Sequence, residues 1–207
     1  MALAALVMAG GKATRMGSAT EKPLICVSDK PMIQLVIEAL RQARSVNRIV
    51  VAVGPSTEQT ARVVTSLGVE VIRTSGNGFE PDMQEAIRAL GLGDVLVVSA
   101  DLPFLAPQIV DQAVEKYVSS KKPALMVATS EDFFNKFKMQ PSYVFTEDDR
   151  RLVPVGVNIV DGKRIDEPVL DETVFVVELD DLVYNVNTQQ DLEMARKRSN
   201  TGDQNAH

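Results

Sequence analysis

The residues best suited to chemistry lie near the start of the chain, where two adjacent glycines are followed by spaced basic residues. Gly10 and Gly11 end the apolar run 3–8, and Lys12, Arg15 and Lys22 come after them. Because glycine has no Cβ, the backbone N–H groups of such a pair can approach an anion closely. Nearby cations neutralise the charge of a phosphate chain. The stretch therefore predicts a loop that holds a polyphosphate.

This loop differs from two common phosphate-binding patterns. Residues 10–17 lack the G-K-[ST] ending of a Walker A loop. The glycine spacing also differs from that of the dinucleotide fingerprint, and no helix is predicted directly after it. From these residues alone, a phosphate loop of another type and a flexible loop with incidental lysines both stay open.

Asp101 is a candidate ligand for Mg²⁺. It ends the apolar segment 94–101, within the sequence SADLP. A carboxylate at the end of a buried strand lies where open α/β sheets bind ligands. Mg²⁺ takes hard oxygen ligands and also binds phosphates. The alternative is an aspartate that only forms a turn or caps a helix.

The elements that would position these groups alternate between strand and helix through the first half of the chain. Hydrophobic periodicity predicts strands at 3–8, 48–54, 69–74 and 94–101, and helices at about 31–40, 57–67, 81–90 and from Pro107 onward. Such alternation requires crossover connections and predicts an α/β fold, with a Rossmann-like, mostly parallel sheet that carries helices on both faces. We expect the loops 9–24, 75–82 and 100–104 to gather along the edge formed by the carboxyl ends of the strands.

The second half of the chain is less regular. Strands are predicted at 124–130, 151–162, 174–180 and 183–187, and a final helix is predicted from Thr188 to about Arg198. Thr188 and Asp191 match the pattern of a helix capping box. Residues 133–145 mix aromatic and lysine residues without a clear period. We expect a single domain over 1–198 and a disordered polar tail at 199–207.

The composition excludes several classes of function. A length of 207 residues with 45% hydrophobic residues suits one globular domain. The net charge of -6 argues against a general nucleic-acid-binding protein. The single histidine is the terminal His207 and the single cysteine is Cys26, which disfavours a histidine base, a histidine metal cluster and an internal disulfide. Since no apolar run approaches the roughly 20 residues of a membrane helix, we expect a soluble cytoplasmic protein.

The opening motif resembles that of a known enzyme family. The sequence G-G-x-x-x-R-M-G, preceded by a strand ending in M-A and followed by K-P-L, is similar to that of the nucleotidyltransferase superfamily, of the sugar-phosphate nucleotidyltransferase type. The resemblance implies a nucleotide-diphospho-sugar transferase fold and nucleotidyl transfer with release of pyrophosphate. It implies that Gly10 and Gly11 hold the triphosphate, that Arg15 contacts the β- and γ-phosphates, and that Lys22 contacts the α-phosphate.

The same resemblance implies a metal site and a base site. Mg²⁺ would be bound by Asp101 and by a second ligand near the carboxyl end, for which Asn187 matches the family position better than Asn185. The loop 75–82 falls where the family binds the nucleobase, and a carboxylate that accepts hydrogen bonds from N1–H and the exocyclic amine would select guanine. For Asp82 an ordinary strand–helix turn is an equal alternative. The implied nucleotide-binding residues are Ala9, Gly10, Gly11, Thr14, Arg15, Lys22, Gly76, Asn77, Gly78, Asp82 and Asp101.

Three later segments narrow the resemblance. The stretches SGNGFEPDMQEAI, RLVPVGVNIV and YNVNTQQDLEMA are similar to those of the archaeal guanylyltransferases that act on adenosylcobinamide phosphate. This implies transfer of GMP from GTP to that acceptor in adenosylcobalamin biosynthesis. It also implies a nucleotide-binding half at about 1–120 and an acceptor-binding half at 121–198. Gly156 and Asn158 are the implied acceptor contacts, and the segment 133–143 is either a lid over a large corrinoid or an irregular edge.

Alternative functions stay open. A guanylyltransferase for the molybdenum cofactor shares the opening motif, and a cytidylyl- or uridylyltransferase for a small phosphate also fits it. A nucleotide-binding regulatory subunit without activity is the alternative from another class. The sequence does not determine the oligomeric state, and a homodimer is one option.

Overall fold

The computed structural model describes residues 1–11, 20–137, 139 and 141–204. The strands are β1 Leu3–Met8, β2 Cys26–Val27, β3 Lys30–Pro31, β4 Val46–Val53, β5 Glu70–Arg73, β6 Asp94–Ser99, β7 Ala124–Ser130, β8 Phe145–Glu147, β9 Arg150–Asp161 and β10 Glu172–Val176. The helices are α1 Met32–Gln42, α2 Glu58–Ser66, α3 Phe79–Leu90, α4 Pro107–Ser120, α5 Glu131–Asn135 and α6 Gln189–Gln204. Short 3₁₀ turns lie at Lys22–Leu24, Gly162–Arg164 and Asp180–Val183.

The main sheet has the strand order β10-β7-β9-β6-β1-β4-β5, and β8 pairs with β9. Strand β1 pairs in parallel with β4 and β6, and β4–β5 and β7–β10 are also parallel pairs. Strand β9 lies antiparallel between β6 and β7. This confirms the mostly parallel α/β sheet that the alternation of strands and helices predicts.

The hydrophobic core lies on both faces of the sheet. Ala5 and Val7 of β1 belong to the cluster that contains buried residues of α1 and α4, whereas Leu6 belongs to the cluster that contains buried residues of α3. Successive strand residues point to opposite faces, so a strand covered on both sides is apolar throughout. The apolar run at the start of the chain is therefore a central strand, and the loop after it begins at the middle of the sheet edge.

Several boundaries differ from the sequence-based expectation in the second half. Residues 183–187 are not a strand, because Val186 donates its N–H to the Asp101 carbonyl (3.1 Å) instead of pairing with a neighbouring strand. Strand β10 begins at Glu172 and ends at Val176, earlier than the predicted 174–180. The prediction of a disordered tail is wrong for residues 199–204, because α6 continues to Gln204. Residues 205–207 lie outside the described residues. Adding a residue to an existing helix is much easier than starting one.

Within the described residues, no helix is long and apolar enough to cross a membrane.

Candidate active site

A cavity of about 390 Å³ opens where the carboxyl ends of β1 and β6 meet the loop before α3. The cavity is lined by residues of the three predicted loops and by the last residues of β1 and β6. They are Met8, Ala9, Gly10, Gly11, Lys22, Pro23, Gly76, Asn77, Gly78, Phe79, Asp82, Ser99, Ala100 and Asp101. The expected gathering of these loops at one edge is thus confirmed. Of the residues that the motif implies, Thr14 and Arg15 lie outside the described part of the chain.

Glycine allows neighbouring loops to approach closely at two points. A Cβ on Gly10 would lie 3.2 Å from the backbone nitrogen of Gly54, in the loop after β4. A Cβ on Gly76 would lie 2.7 Å from Cδ of Pro55, and Gly76 also has a φ of +74°. L-residues rarely adopt that conformation. These contacts hold the glycine loop and the loop before α3 against the loop after β4, so the walls of the cavity depend on both glycines.

Lys22 lies between two oxygen atoms that come from distant parts of the chain. Its Nζ lies 2.5 Å from Oδ2 of Asp101 and donates to Oδ1 of Asn187 at 2.8 Å. The side chains of Lys22 and Asp101 are only 15% and 16% exposed, so solvent screens this ion pair less than it screens a surface pair. The lysine of the K-P-L motif, the aspartate after β6 and the candidate second metal ligand therefore form one cluster.

The neighbours of Asn187 fix the direction of its amide. Lysine is only a donor, so the Asn187 oxygen must face Lys22. The amide nitrogen of Asn187 then donates to Oδ1 of Asn185 at 2.8 Å. Within this cluster, Asn187 contacts Lys22 and Asn185 contacts Asn187. The two asparagines therefore have different positions: Asn187 lies next to the lysine, and Asn185 lies behind it. Sequence reasoning had missed the supporting role of Asn185.

The start of α6 holds the same segment from the other side. The N–H groups of Asn187 and Thr188 donate to Oδ2 of the buried Asp191 at 3.0 and 2.8 Å, and the N–H of Asp191 donates to Oγ1 of Thr188 at 3.1 Å. This arrangement is the predicted capping box. The cap of α6 thus fixes the backbone that carries the Asn187 side chain.

Aromatic packing anchors the segment that carries Asn187. The rings of Phe104 and Tyr184 lie edge to face with centroids 5.5 Å apart, and Phe137 lies 6.0 Å from Tyr184. Burial raises the pKa of the Tyr184 phenol. Phe104 follows β6 and Phe137 follows the short helix α5, so part of the mixed aromatic and lysine segment packs into a core beside the site.

The polar groups around Asp101 fit a divalent cation. Its Oδ1 is buried and has no hydrogen-bond partner among the described residues, and an unpaired buried carboxylate oxygen is costly unless a ligand satisfies it. No group of three or more histidine, cysteine, aspartate or glutamate residues suitable for a metal occurs in the part of the chain that the structure describes. A site with few protein ligands suits Mg²⁺, which keeps waters and binds substrate phosphates.

The first turn of α3 presents a carboxylate and an aromatic ring to the cavity. Asp82 is 4% exposed and its Oδ1 accepts the backbone N–H of Asn77 at 3.0 Å, which leaves Oδ2 on the side of Gly10. Phe79 is 48% exposed although it is large and apolar. Helix α3 begins at Phe79 and not at Pro81, so the ring projects from the first helical position. Sequence reasoning missed Phe79; the signal was an aromatic residue directly after a glycine-rich loop.

The two predicted acceptor residues lie on β9, beside the cavity and not in its lining. Gly156 has a φ of +81°, and a Cβ there would lie 2.9 Å from Oγ of Ser99, which lines the cavity. The pairing of β9 with β7 shifts register next to this point. Asn158 is half-buried and lies opposite Val97 of β6, two residues further from this edge of the sheet than Gly156.

A mostly parallel sheet with a glycine loop, a lysine and a candidate metal ligand at one edge defines a nucleotidyltransferase. The chain belongs to the family described as MobA-like NTP transferase domain, which matches residues 5–198. It is 35% identical over 201 residues to the adenosylcobinamide-phosphate guanylyltransferase of Methanocaldococcus jannaschii. This match covers 92% of this chain and 94% of that protein.

Two further comparisons concern the family and the fold. The chain is 27% identical to the probable molybdenum cofactor guanylyltransferase of Thermococcus kodakarensis, over 90% of each chain. Its fold is similar to that of CMP:2-keto-3-deoxy-manno-octonic acid synthetase complexed with CTP, with a TM-score of 0.74, 17% identity and coverage of 97% of this chain and 99% of that one. The predicted nucleotide-diphospho-sugar transferase fold is therefore confirmed.

Proposed function

We propose that this chain transfers GMP from GTP to adenosylcobinamide phosphate and releases pyrophosphate. The observation that carries the reaction type is the Lys22 ammonium, which lies between Asp101 and Asn187 beside the glycine loop. The choice of acceptor is supported by the 35% identity, over nearly the whole chain, to the archaeal enzyme named for that acceptor.

The glycine loop and the basic residues divide the triphosphate between them. The backbone of Ala9, Gly10 and Gly11 lies along the phosphates, and Arg15 contacts the β- and γ-phosphates as the motif implies. Thr14 is a further contact to the nucleotide. Lys22 contacts the α-phosphate, which requires its ammonium to leave Asp101 and Asn187 when the nucleotide binds. Fixed cations at these points stabilise the charge that builds up on the α-phosphorus and on the leaving pyrophosphate.

The reaction needs positioning more than proton transfer. An oxygen of the acceptor phosphate bonds to the α-phosphorus while the bond from that phosphorus to the α–β bridging oxygen breaks, and pyrophosphate leaves with the electron pair. A phosphate monoester has a second pKa of about 6 and is largely ionised at neutral pH, so it needs no strong base. The chain agrees with this, because its single histidine is the last residue.

Asp101 and Asn187 are the residues that would hold Mg²⁺. When bound, the ion neutralises phosphate charge and helps to orient the triphosphate. The Oδ1 atom of Asp101, which has no partner in the part of the chain that the structure describes, is available for such a ligand while Oδ2 faces Lys22. Asn185 accepts a hydrogen bond from the Asn187 amide nitrogen, and this keeps the Asn187 oxygen turned toward the metal site.

The loop before α3 and the first turn of that helix recognise the base. The Oδ2 atom of Asp82 accepts hydrogen bonds from N1–H and the exocyclic amine of guanine, while Asn77, Gly76 and Gly78 approach the ring with their backbone. Phe79 stacks against the base, since every base offers an apolar face to an aromatic ring. The acceptor binds to the half of the domain at 121–198, with Gly156 and Asn158 as its proposed contacts.

The decisive experiment is an acceptor panel with the purified chain, GTP and Mg²⁺. We expect pyrophosphate release with adenosylcobinamide phosphate, and a product in which mass spectrometry finds the acceptor joined to GMP. Replacing GTP with CTP or UTP provides the control for the base. If adenosylcobinamide phosphate releases no pyrophosphate while another phosphate does, the proposed acceptor is wrong and nucleotidyl transfer remains.

The second candidate is guanylyl transfer to the molybdenum cofactor precursor. The 27% identity to the Thermococcus kodakarensis protein over 90% of each chain favours it. Including molybdopterin in the same panel separates the two acceptors, because both reactions use GTP and release pyrophosphate.

A further inference from the structure

Helix α2 lacks a capping side chain of its own. Thr57 precedes the helix, but its hydroxyl is used by Gly54, whose N–H donates to it at 3.0 Å and whose carbonyl accepts from it at 3.1 Å. The first N–H groups of a helix have no partner within the helix. The first turn of α2 therefore needs an acceptor from elsewhere in the fold.

Glu21 supplies that acceptor across a long stretch of sequence. Its carboxylate accepts the backbone N–H of Gln59 at 2.8 Å, and it accepts both the backbone N–H and the hydroxyl of Thr60 at 2.6 Å. Thr60 is completely buried. A carboxylate at this end of a helix also faces the positive end of the helix dipole, and hydrogen bonds to a charged acceptor are stronger than neutral ones.

These bonds fix the backbone immediately before Lys22. The carbonyl of Glu21 accepts the N–H of Leu24 at 2.9 Å, which closes the 3₁₀ turn that Lys22 begins. Pro23 is buried within that turn. Glu21 is thus held through its side chain by α2 and through its carbonyl by the turn, so the Cα of Lys22 has a defined position although the lysine side chain is long and flexible.

The same link connects Lys22 to the glycines of the cavity. The loop that leads into α2 contains Gly54 and Pro55, which lie against Gly10 and Gly76. Glu21 therefore links the lysine to the start of α2, whose preceding loop contacts the glycine loop and the loop before α3. A residue that merely capped α2 would not need to stand directly beside Lys22.

We propose that Glu21 is a positioning residue for nucleotidyl transfer: its carboxylate, bound to the first turn of α2, sets where Lys22 meets the α-phosphate. This inference rests on the proposed function, because it assumes the role of Lys22 in that reaction. It predicts that loss of the link slows the chemical step more than it weakens binding of the nucleotide.

The test compares Glu21→Ala and Glu21→Gln with the matched control Glu58→Ala. Glu58 is an exposed acid in the first turn of the same helix, but it pairs with Arg73 on the surface. We expect Glu21→Ala to lower kcat about tenfold or more, with a much smaller change in KM for GTP, because misplacing a catalytic group affects the reacting geometry. Glu21→Gln keeps an acceptor oxygen, so its kcat should lie between those of Glu21→Ala and the parent. The kcat of Glu58→Ala should equal that of the parent.

A second variant approaches the link from the helix side. Thr60→Val removes only the hydroxyl donor and keeps the shape of the buried side chain. It therefore allows the link to be tested even if Glu21→Ala fails to fold. We expect a smaller loss of kcat in Thr60→Val and recovery in Thr60→Ser. If these variants lower the melting temperature while kcat of the folded enzyme stays at the parent value, Glu21 is only a helix cap and the proposal is wrong.

Hydrogen exchange separates failure of this inference from failure of the proposed function. The exchange of amides over 20–26 needs no substrate, and it should increase in Glu21→Ala but not in Glu58→Ala, with the central strands unchanged. An increase confined to α2 contradicts the proposal, whatever the acceptor panel gives. Kinetic comparisons use the nucleotide and acceptor pair that releases pyrophosphate, so a wrong acceptor leaves the test of Glu21 intact.

Discussion

At the scale of single residues, the proposed chemistry depends most on Lys22. Its ammonium is within 2.8 Å of oxygen atoms on Asp101 and Asn187, which lie 79 and 165 positions later in the chain. This places a mobile cation at the boundary between the glycine loop and the candidate metal ligands. Such a group can change partners when a phosphate arrives, since the lysine side chain is flexible.

Replacing Lys22 tests this role directly. We expect Lys22→Ala to lower the rate of pyrophosphate release by roughly a hundredfold or more, the typical cost of removing a donor that stabilises transition-state charge. The Kd for GTP should change much less. Lys30→Ala is the control, because Lys30 pairs with Glu38 outside the cavity lining. A Lys22→Ala protein with the parent rate would exclude this assignment.

Asp82 provides a residue-scale test of base recognition. In Asp82→Asn, the remaining carbonyl oxygen can still accept the N–H of Asn77, but the cavity then faces an amide that donates. We expect the preference for GTP over CTP and UTP to fall by about tenfold or more, because a site that pairs with a donor rejects ligands that leave it unpaired. Calorimetric titration with each nucleotide measures this ratio. Equal loss of affinity for all three nucleotides would instead indicate general damage to the loop.

At the scale of elements, β9 joins the two halves of the sheet. It runs antiparallel between β6 and β7, and its pairing with β7 shifts register close to Gly156. A shift of this kind bends a strand and often lies next to an active site. Because Gly156 lies against Ser99 at the end of β6, the bend in β9 shapes the cavity edge that precedes Asp101.

Three glycine variants distinguish the two reasons why this bend needs glycine. Gly156→Ala places an alanine in the left-handed backbone conformation and brings its Cβ against Ser99. Gly68→Ala has the unfavourable conformation without a contact, and Gly93→Ala has neither. We expect losses of stability of about 2–4 kcal/mol, about 1 kcal/mol and close to zero, respectively. Urea unfolding measures all three. A Gly156→Ala protein as stable as Gly68→Ala would show that the contact with Ser99 relaxes freely.

At the scale of the whole molecule, the proposed function requires an acidic protein to bind a polyanion. The net charge is -6, so attraction for GTP must come from local groups in the cavity and not from the overall field. Those groups come from loops between separate elements of the sheet. Binding of nucleotide should therefore stabilise the domain as a unit.

Thermal unfolding measures that coupling. At a GTP concentration of about a hundred times Kd, binding contributes about 2.7 kcal/mol. This should raise the melting temperature by roughly 5–10 °C in a domain of this size. We expect this rise in melting temperature to be larger with Mg²⁺ than with EDTA. It should be smaller with CTP than with GTP. An Asp101→Asn variant that responds to Mg²⁺ as the parent does would contradict the proposed metal site.

The sequence by itself determined the fold class and most of the cavity lining. The apolar runs predict the central strands, and β7 has the predicted bounds of 124–130. Parallel strands end at one edge of a sheet, so the loops after β1, β5 and β6 had to meet there whatever their detailed shape. The resemblance of the opening motif added Lys22, Asp101 and Asn187 as members of one site.

Only the tertiary structure decided which groups touch. Periodicity describes neighbours along the chain, whereas the bond of Glu21 to Thr60 and that of Lys22 to Asn187 depend on how distant loops pack. The segment 183–187 shows why local pattern failed: its alternation suits a strand, but its backbone pairs with Asp101 and its end is held by the cap of α6. Long-range hydrogen bonds overrode local preference there, and they set the geometry of the site.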